Sequence, residues 1–236
     1  MVNILPQLAK LKGIAVDLLF PRWCVGCGKE GDFICQSCLR SLARIMPPLC
    51  PRCGKPQTSG ILCPSCVSWQ AEIDGIRSPF RFDGVIRQAI HQLKYRNLRA
   101  QVTTLARLLQ DYLATNPMPG EVLAPVPLHR KRLRERGYNQ SSLLAKELGK
   151  LTGLPVVDDC LIRQRYAPPQ ARTSTVAERR SNVANAFACR DNRLRDKQVL
   201  LIDDVSTSGT TLDACATALK ASGATSVWGL VLAREI

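Results

Sequence analysis

At 236 residues and 45% apolar composition, the chain has room for one medium domain plus a small module and can bury a sizeable core. Only 5% of it is aromatic, which leaves few rings for a base-stacking surface, and no window approaches the roughly 20 apolar residues of a membrane helix. A net charge of +14 points to anionic partners such as phosphates, nucleic acid or an acidic membrane surface, although a basic protein without such a partner has the same balance.

The opening stretch, MVNILPQLAKLKGIAVDLLFP, has short apolar runs broken by Pro6, Lys10, Lys12 and Asp17 and lacks a small-residue cleavage site. It does not read as a secretory signal, so a cytoplasmic location is expected. Ile14, Leu18 and Leu19 would form one face of a short helix. That face either packs on the protein's own body or touches the inner surface of the membrane.

Eight of the eleven cysteines fall between Cys24 and Cys66. They form four CxxC turns: CVGCG from Cys24, CQSC from Cys35, CPRCG from Cys50 and CPSC from Cys63. In a reducing compartment such pairs suggest metal rather than disulfides. Each turn supplies two thiolates, and a tetrahedral Zn²⁺ takes four, so four turns make two closed sites. Gly28 and Gly54 follow their knuckles, where a positive φ lets backbone amides face the sulfurs. The two halves repeat each other. The repeat favours sequential pairing, with Cys24, Cys27, Cys35 and Cys38 in one site and Cys50, Cys53, Cys63 and Cys66 in the other; interleaved pairing is the alternative. With all ligands from the protein, the zinc would serve folding or partner contact, not chemistry. Cys160, Cys189 and Cys215 stand alone and read as small apolar residues.

The boundary is placed at residue 72, giving a zinc module over 1–71 and a second domain over 72–236. From there, strand and helix patterns alternate. IRSPFRF reads as a strand, followed by helices over Val85–Tyr95 and about Leu98–Leu113, the latter with Val102, Leu105, Leu109 and Tyr112 on one face. EVLAPVP is a buried strand and Asn139–Leu148 a helix. The polar stretch 163–175, with two prolines, predicts a long mobile loop, and a helix over Val176–Ala184 follows. QVLLIDD is an apolar strand, Thr210–Ser222 a helix closed by Gly223, and SVWGLVLA the last strand. This alternation predicts an α/β domain with a doubly wound, mostly parallel sheet.

VLLIDDVSTSGTTL at 199–212 carries the most chemistry. An apolar strand delivers Asp203 and Asp204, followed by Val205, Ser206, Thr207, Ser208, Gly209, Thr210 and Thr211 at the start of a helix. Amides and hydroxyls there can surround a sugar 5′-phosphate, favoured by the helix dipole, and Gly209 permits close approach. The two carboxylates can accept hydrogen bonds from ribose hydroxyls and hold Mg²⁺ through water. Open α/β sheets bind ligands at this end of their strands. The Walker pattern GxxxxGK[ST] is missing, which disfavours a P-loop. A second segment, VPLHRKRLRERGYNQS from Val126, is read as a basic loop after its strand, with Arg130, Lys131, Arg132, Arg134 and Arg136 suited to a diphosphate. A solvated loop with no ligand is the alternative.

The acid-pair segment resembles the phosphoribosyl pyrophosphate (PRPP) motif of type I phosphoribosyltransferases. Four CxxC units, LKYRN at 93–97, VPLHRKRLRERGYNQ, the PPQ…ERRSNVANAF stretch and that motif together resemble the ComF/GntX-like family across nearly the whole chain. The resemblance implies a phosphoribosyltransferase-type fold, PRPP with Mg²⁺, and a role in uptake or use of external DNA. It places Pro127, Leu128, Arg136, Asn139 and Gln140 with the diphosphate loop, and Gln170, Arg179, Arg180 and Asn182 in the mobile-loop region. In an active site, Arg130 and Lys131 would stabilise the leaving diphosphate beside Asp203 and Asp204. Thr207 stands where purine-salvage relatives often carry an aspartate base, which argues against a 6-oxopurine acceptor. Two rival roles follow from the same features. One is a grip on single-stranded DNA through Arg77, Arg81, Arg87, Lys94, Arg96, Arg99 and the 130–136 run. The other is an adaptor that docks its zinc region on a DNA-import helicase or channel.

Overall fold

The computed structural model describes residues 22–165 and 186–236. The expected N-terminal helix face of Ile14, Leu18 and Leu19, the helix over Val176–Ala184, and Gln170, Arg179, Arg180 and Asn182 lie outside the described residues.

Five strands make one parallel sheet: β1 (Gly75–Arg77), β2 (Phe80–Arg81), β3 (Val122–Pro125), β6 (Gln198–Ser206) and β7 (Ser226–Arg234). β1 and β2 both run along β7, which pairs with β6, which pairs with β3. The IRSPFRF strand is thus two strands, broken at Ser78–Pro79, where proline has no N–H to give to a ladder. Residues along β6 alternate between two apolar layers. Leu200 and Ile202 join a cluster with Ile86, Ile90, Leu105, Leu109, Leu144 and Leu148, from α3 (Gly84–Tyr95), α4 (Val102–Thr115) and α6 (Gln140–Thr152). Val199 and Leu201 join the other cluster, with Leu212, Cys215, Ala216 and Leu219 of α7 (Thr210–Ala221). A sheet covered on both faces explains why its strands read as continuous apolar runs.

Three elements of the second domain were not foreseen. β4 (Leu161–Arg163) and β5 (Phe187–Cys189) pair antiparallel on either side of residues 166–185. The segment expected to be a basic loop is instead a helix, α5 (Arg130–Arg136). His129 caps its start by accepting from the Lys131 amide, and Gly137 ends it at φ 78°. None of its residues is buried, so no apolar stripe announced it.

The cysteine-rich region repeats as expected. In each half a knuckle is closed by a glycine amide, Gly28 to Cys24 O at 2.8 Å and Gly54 to Cys50 O at 2.9 Å. Both glycines have positive φ, 73° and 72°. The second CxxC of each half opens a short helix, α1 (Gln36–Arg40) or α2 (Pro64–Val67). The ribbons extend the core rather than hang from it. The second shares a cluster with Ile73, Ile76, Leu212 and Val231, and the first a cluster with Phe80, Ile86 and Leu93. Backbone bonds from Ile45 to Pro79, Arg81 to Ala43 and Ile76 to Arg52 stitch ribbons to strands.

Candidate functional site

The sulfurs of Cys24, Cys27, Cys35 and Cys38 lie within 4.8 Å of one another, as do those of Cys50, Cys53, Cys63 and Cys66. A Zn²⁺ tetrahedron with bonds of about 2.3 Å has S···S edges of about 3.8 Å. The edges Cys27–Cys35 and Cys53–Cys63 measure 3.6 and 3.7 Å. The Cys35 and Cys63 amides point at the Cys24 and Cys50 sulfurs, at 3.4 and 3.5 Å. The arrangement is sequential, and it fits two structural zinc ions. Cys27 is exposed, whereas all four sulfur ligands of the second cluster are buried.

β6 carries its ladder past the acids to Ser206, and the chain then turns through Thr207, Ser208 and Gly209 into α7. Asp203, Val205–Leu212 and their backbone line a recess of about 40 Å³. Gly209 sits at φ 83° and caps α7 without a side chain, which leaves the first amides of a twelve-residue helix facing the turn. A Cβ at Gly209 would come within 2.8 Å of Ile76 Cδ1 and 3.0 Å of Trp69 Cη2, so both conformation and space require glycine. Ser208 and Thr210 hydroxyls meet at 2.7 Å on the rim.

The two acids are not equivalent. Asp203 Oδ1 accepts from Ser141 Oγ at 2.7 Å and from the Asp204 amide at 2.9 Å. Asp204 is buried, and its Oδ1 pairs with Lys94 Nζ at 2.8 Å, while Oδ2 has no partner among the described residues. Burial pulls the Lys94 pKa down, but the Asp204 carboxylate overcomes this and holds the ammonium above its usual value. Of the two acids expected to meet ribose hydroxyls and Mg²⁺, Asp204 thus also belongs to a buried ion pair. Lys94 stood in the sequence within LKYRN and among the basic residues, with no partner assigned, and Ser141 was not singled out.

Burial, then the neighbouring Asp204 charge, raises the Asp203 carboxyl to about 7, against Lys94 and Ser141, which lower it. The folded chain then holds a proton that the unfolded chain has lost between about pH 4 and pH 7. This contribution to stability is fully present below about pH 4 and is lost as pH rises through 7. Unfolding free energy from urea titrations should fall between about pH 4 and 7 and level off above that, and Asp203→Asn should flatten that fall. An identical slope in the variant would refute the assignment.

The second segment divides between cavity lining and scaffold. Pro127, Leu128, Arg130 and Asn139 line a cavity of about 810 Å³, and Arg136 lines another of about 510 Å³ with Lys94 and Tyr138. Asn139 caps α6 through the Ser141 amide at 3.1 Å and donates to Val126 O at 3.0 Å. Gln140 is buried and accepts from Arg136. Lys131 is exposed in the first turn of α5.

A parallel sheet, an acid-bearing strand and a hydroxyl-rich turn into a helix define a phosphoribosyltransferase-type domain, here fused to paired zinc ribbons. The family described as "Phosphoribosyl transferase domain" matches residues 135–235, and "Double zinc ribbon domain" matches residues 15–67. The chain is 30% identical to Competence protein ComFC of Bacillus subtilis, over 88% of this chain and 86% of that one. It is also 30% identical to Competence protein F of Haemophilus influenzae, over 85% and 90%, and to DNA utilization protein YhgH of Escherichia coli O157:H7, over 86% and 91%. The chain belongs to the ComF family, with ComFC and YhgH. Among the described residues, no helix is long and apolar enough to cross a membrane.

Proposed function

We propose that residues 72–236 bind PRPP or ribose 5-phosphate at the end of β6, and that the chain acts in uptake or use of external single-stranded DNA. The observation that carries this reading is the turn itself: a left-handed Gly209 with no side-chain cap at the start of α7, and the Ser208 and Thr210 hydroxyls, beside Asp203 and the Oδ2 of Asp204, which has no partner among the described residues. The amides and hydroxyls suit a phosphate, and the carboxylates suit ribose hydroxyls. One oxygen of each acid is already bonded, so the pair fits water-mediated contact with Mg²⁺ better than a closed metal cage. Mg²⁺ arriving on the substrate would neutralise the diphosphate leaving group. Arg130 at the start of α5 would add positive charge to the diphosphate side. The names of the relatives, competence and DNA utilization, support the biological setting.

Calorimetric titration of the zinc-loaded chain with PRPP and Mg²⁺ at a pH above 7, where Asp203 has released its proton, should show saturable binding, and Asp203→Asn should weaken it at least about tenfold, the loss of one charge-assisted hydrogen bond. No heat with the wild-type chain would overturn the reading.

Single-stranded DNA is the second partner in this proposal. Arg81, Arg87, Arg96, Arg99, Lys131 and Arg134 are exposed, and Tyr95 is 66% exposed with its ring 4.6 Å from that of His91. Cations beside stacking rings suit a backbone-tracking, sequence-tolerant grip whose strength falls with salt. An adaptor role for the zinc region draws on exposed Trp23, Met46, Ile61 and Val67.

A further inference from the structure

β7 ends on an arginine buried in the core. Arg234 is 1% exposed. Nη2 donates to Thr207 O at 3.2 Å and Nη1 to Ser206 Oγ at 3.5 Å, while Nε has no partner among the described residues. Among those residues it forms no ion pair with a carboxylate. A buried cation needs a counter-charge. Burial lowers the Arg234 pKa, and the groups that oppose this are Cys53, Cys66, Cys63 and Cys50, the whole of the second cluster. With Zn²⁺ bound, four thiolates leave that centre two net negative charges.

The second ribbon meets the phosphate turn at two more points. Trp69, three residues past Cys66, lays its ring against Gly209. Its Nε1, with the amides of Glu72 and Ile73, donates to Asp213 in the first turn of α7, at 3.2, 2.8 and 3.1 Å. Ile76 also abuts Gly209, and its amide donates to Arg52 O, inside the CPRC knuckle, at 2.7 Å. The first cluster packs in the other core layer.

We infer that Arg234 is a positioning residue: with the second ribbon packed on the same turn through Trp69 and Ile76, it holds the Ser206–Thr207 corner in the shape that receives a sugar phosphate. The two zinc ions are therefore not equivalent, and the second braces the ligand turn. This inference rests on the reading of that turn as a phosphate site.

The test is hydrogen–deuterium exchange of residues 203–212, with PRPP calorimetry, on the zinc-loaded full chain as wild type, Arg234→Lys and Arg234→Met. Both variants should keep two zinc ions per chain by elemental analysis. Arg234→Met should exchange its turn amides about tenfold faster and bind PRPP at least about tenfold more weakly, with Arg234→Lys between, as expected for loss of hydrogen bonds from a charged donor. Unchanged exchange in Arg234→Met would overturn the inference. Should that variant fail to fold, Arg234→Lys decides on the same readout, because an ammonium cannot make both contacts. Wild-type chain that gives no PRPP heat sinks the ligand reading, while the exchange comparison still decides the role of Arg234.

Discussion

Replacing Lys94 with methionine is expected to cost the fold about 3–5 kcal/mol, the usual penalty for stranding one member of a buried ion pair. The stranded group is Asp204, 2% exposed, whose other oxygen has no partner among the described residues. Methionine keeps much of the lysine stem, so the lost packing is small. The midpoint of urea unfolding should drop sharply, and adding Asp204→Leu should restore most of the loss, because removing both charges removes the desolvation penalty. A Lys94→Met variant as stable as wild type would show that the pair is solvated. The prediction bears on function as well. Asp204→Asn alone strands the ammonium of Lys94, so Asp203 is the acid to substitute when ligand binding is tested apart from stability.

Zinc removal is expected to have the largest effect. A structural Zn²⁺ contributes about 10–16 kcal/mol to the folding of small zinc modules at neutral pH, more than the stability of most domains. Here both clusters sit in core layers that also contain the sheet. Titration with a mercurial should release two zinc ions per chain and abolish the cooperative thermal transition of the whole protein, not of the ribbons alone. The order of release should be unequal. Cys27 is exposed, whereas the second set is closed off, with Cys53 3% exposed. The first ion should leave first, and Cys53→Ser should lower the melting temperature by more than Cys27→Ser. A residual transition of native height after both ions are lost would contradict the shared core.

Several elements were legible because their causes are local. The CxxC spacing brings two sulfurs together within one turn, so the eight ligand cysteines, their repeat and the positive φ of Gly28 and Gly54 could be read directly, while the choice of sequential over interleaved pairing came from the fold. The apolar run of β6 followed by acids, hydroxyls and glycine marked the turn, and Leu212, Cys215, Ala216 and Leu219 at helical spacing marked the buried face of α7. α5 escaped because RKRLRER has no apolar period. Its stability comes from good helix formers, the His129 cap and the Gly137 stop. β4 and β5 escaped because three residues are too few to show alternation.

By itself the sequence determined what short-range chemistry determines: two four-cysteine centres, a parallel α/β sheet, and a glycine- and hydroxyl-rich turn at the end of one strand. Tertiary structure alone decided which charges are free. Lys94 neutralises Asp204, Ser141 bonds Asp203, and the buried Arg234 donates to Thr207 in the turn. A buried charge is balanced by whatever lies near it in space, and those partners come from α3, α6 and β7, far along the chain from the groups they balance.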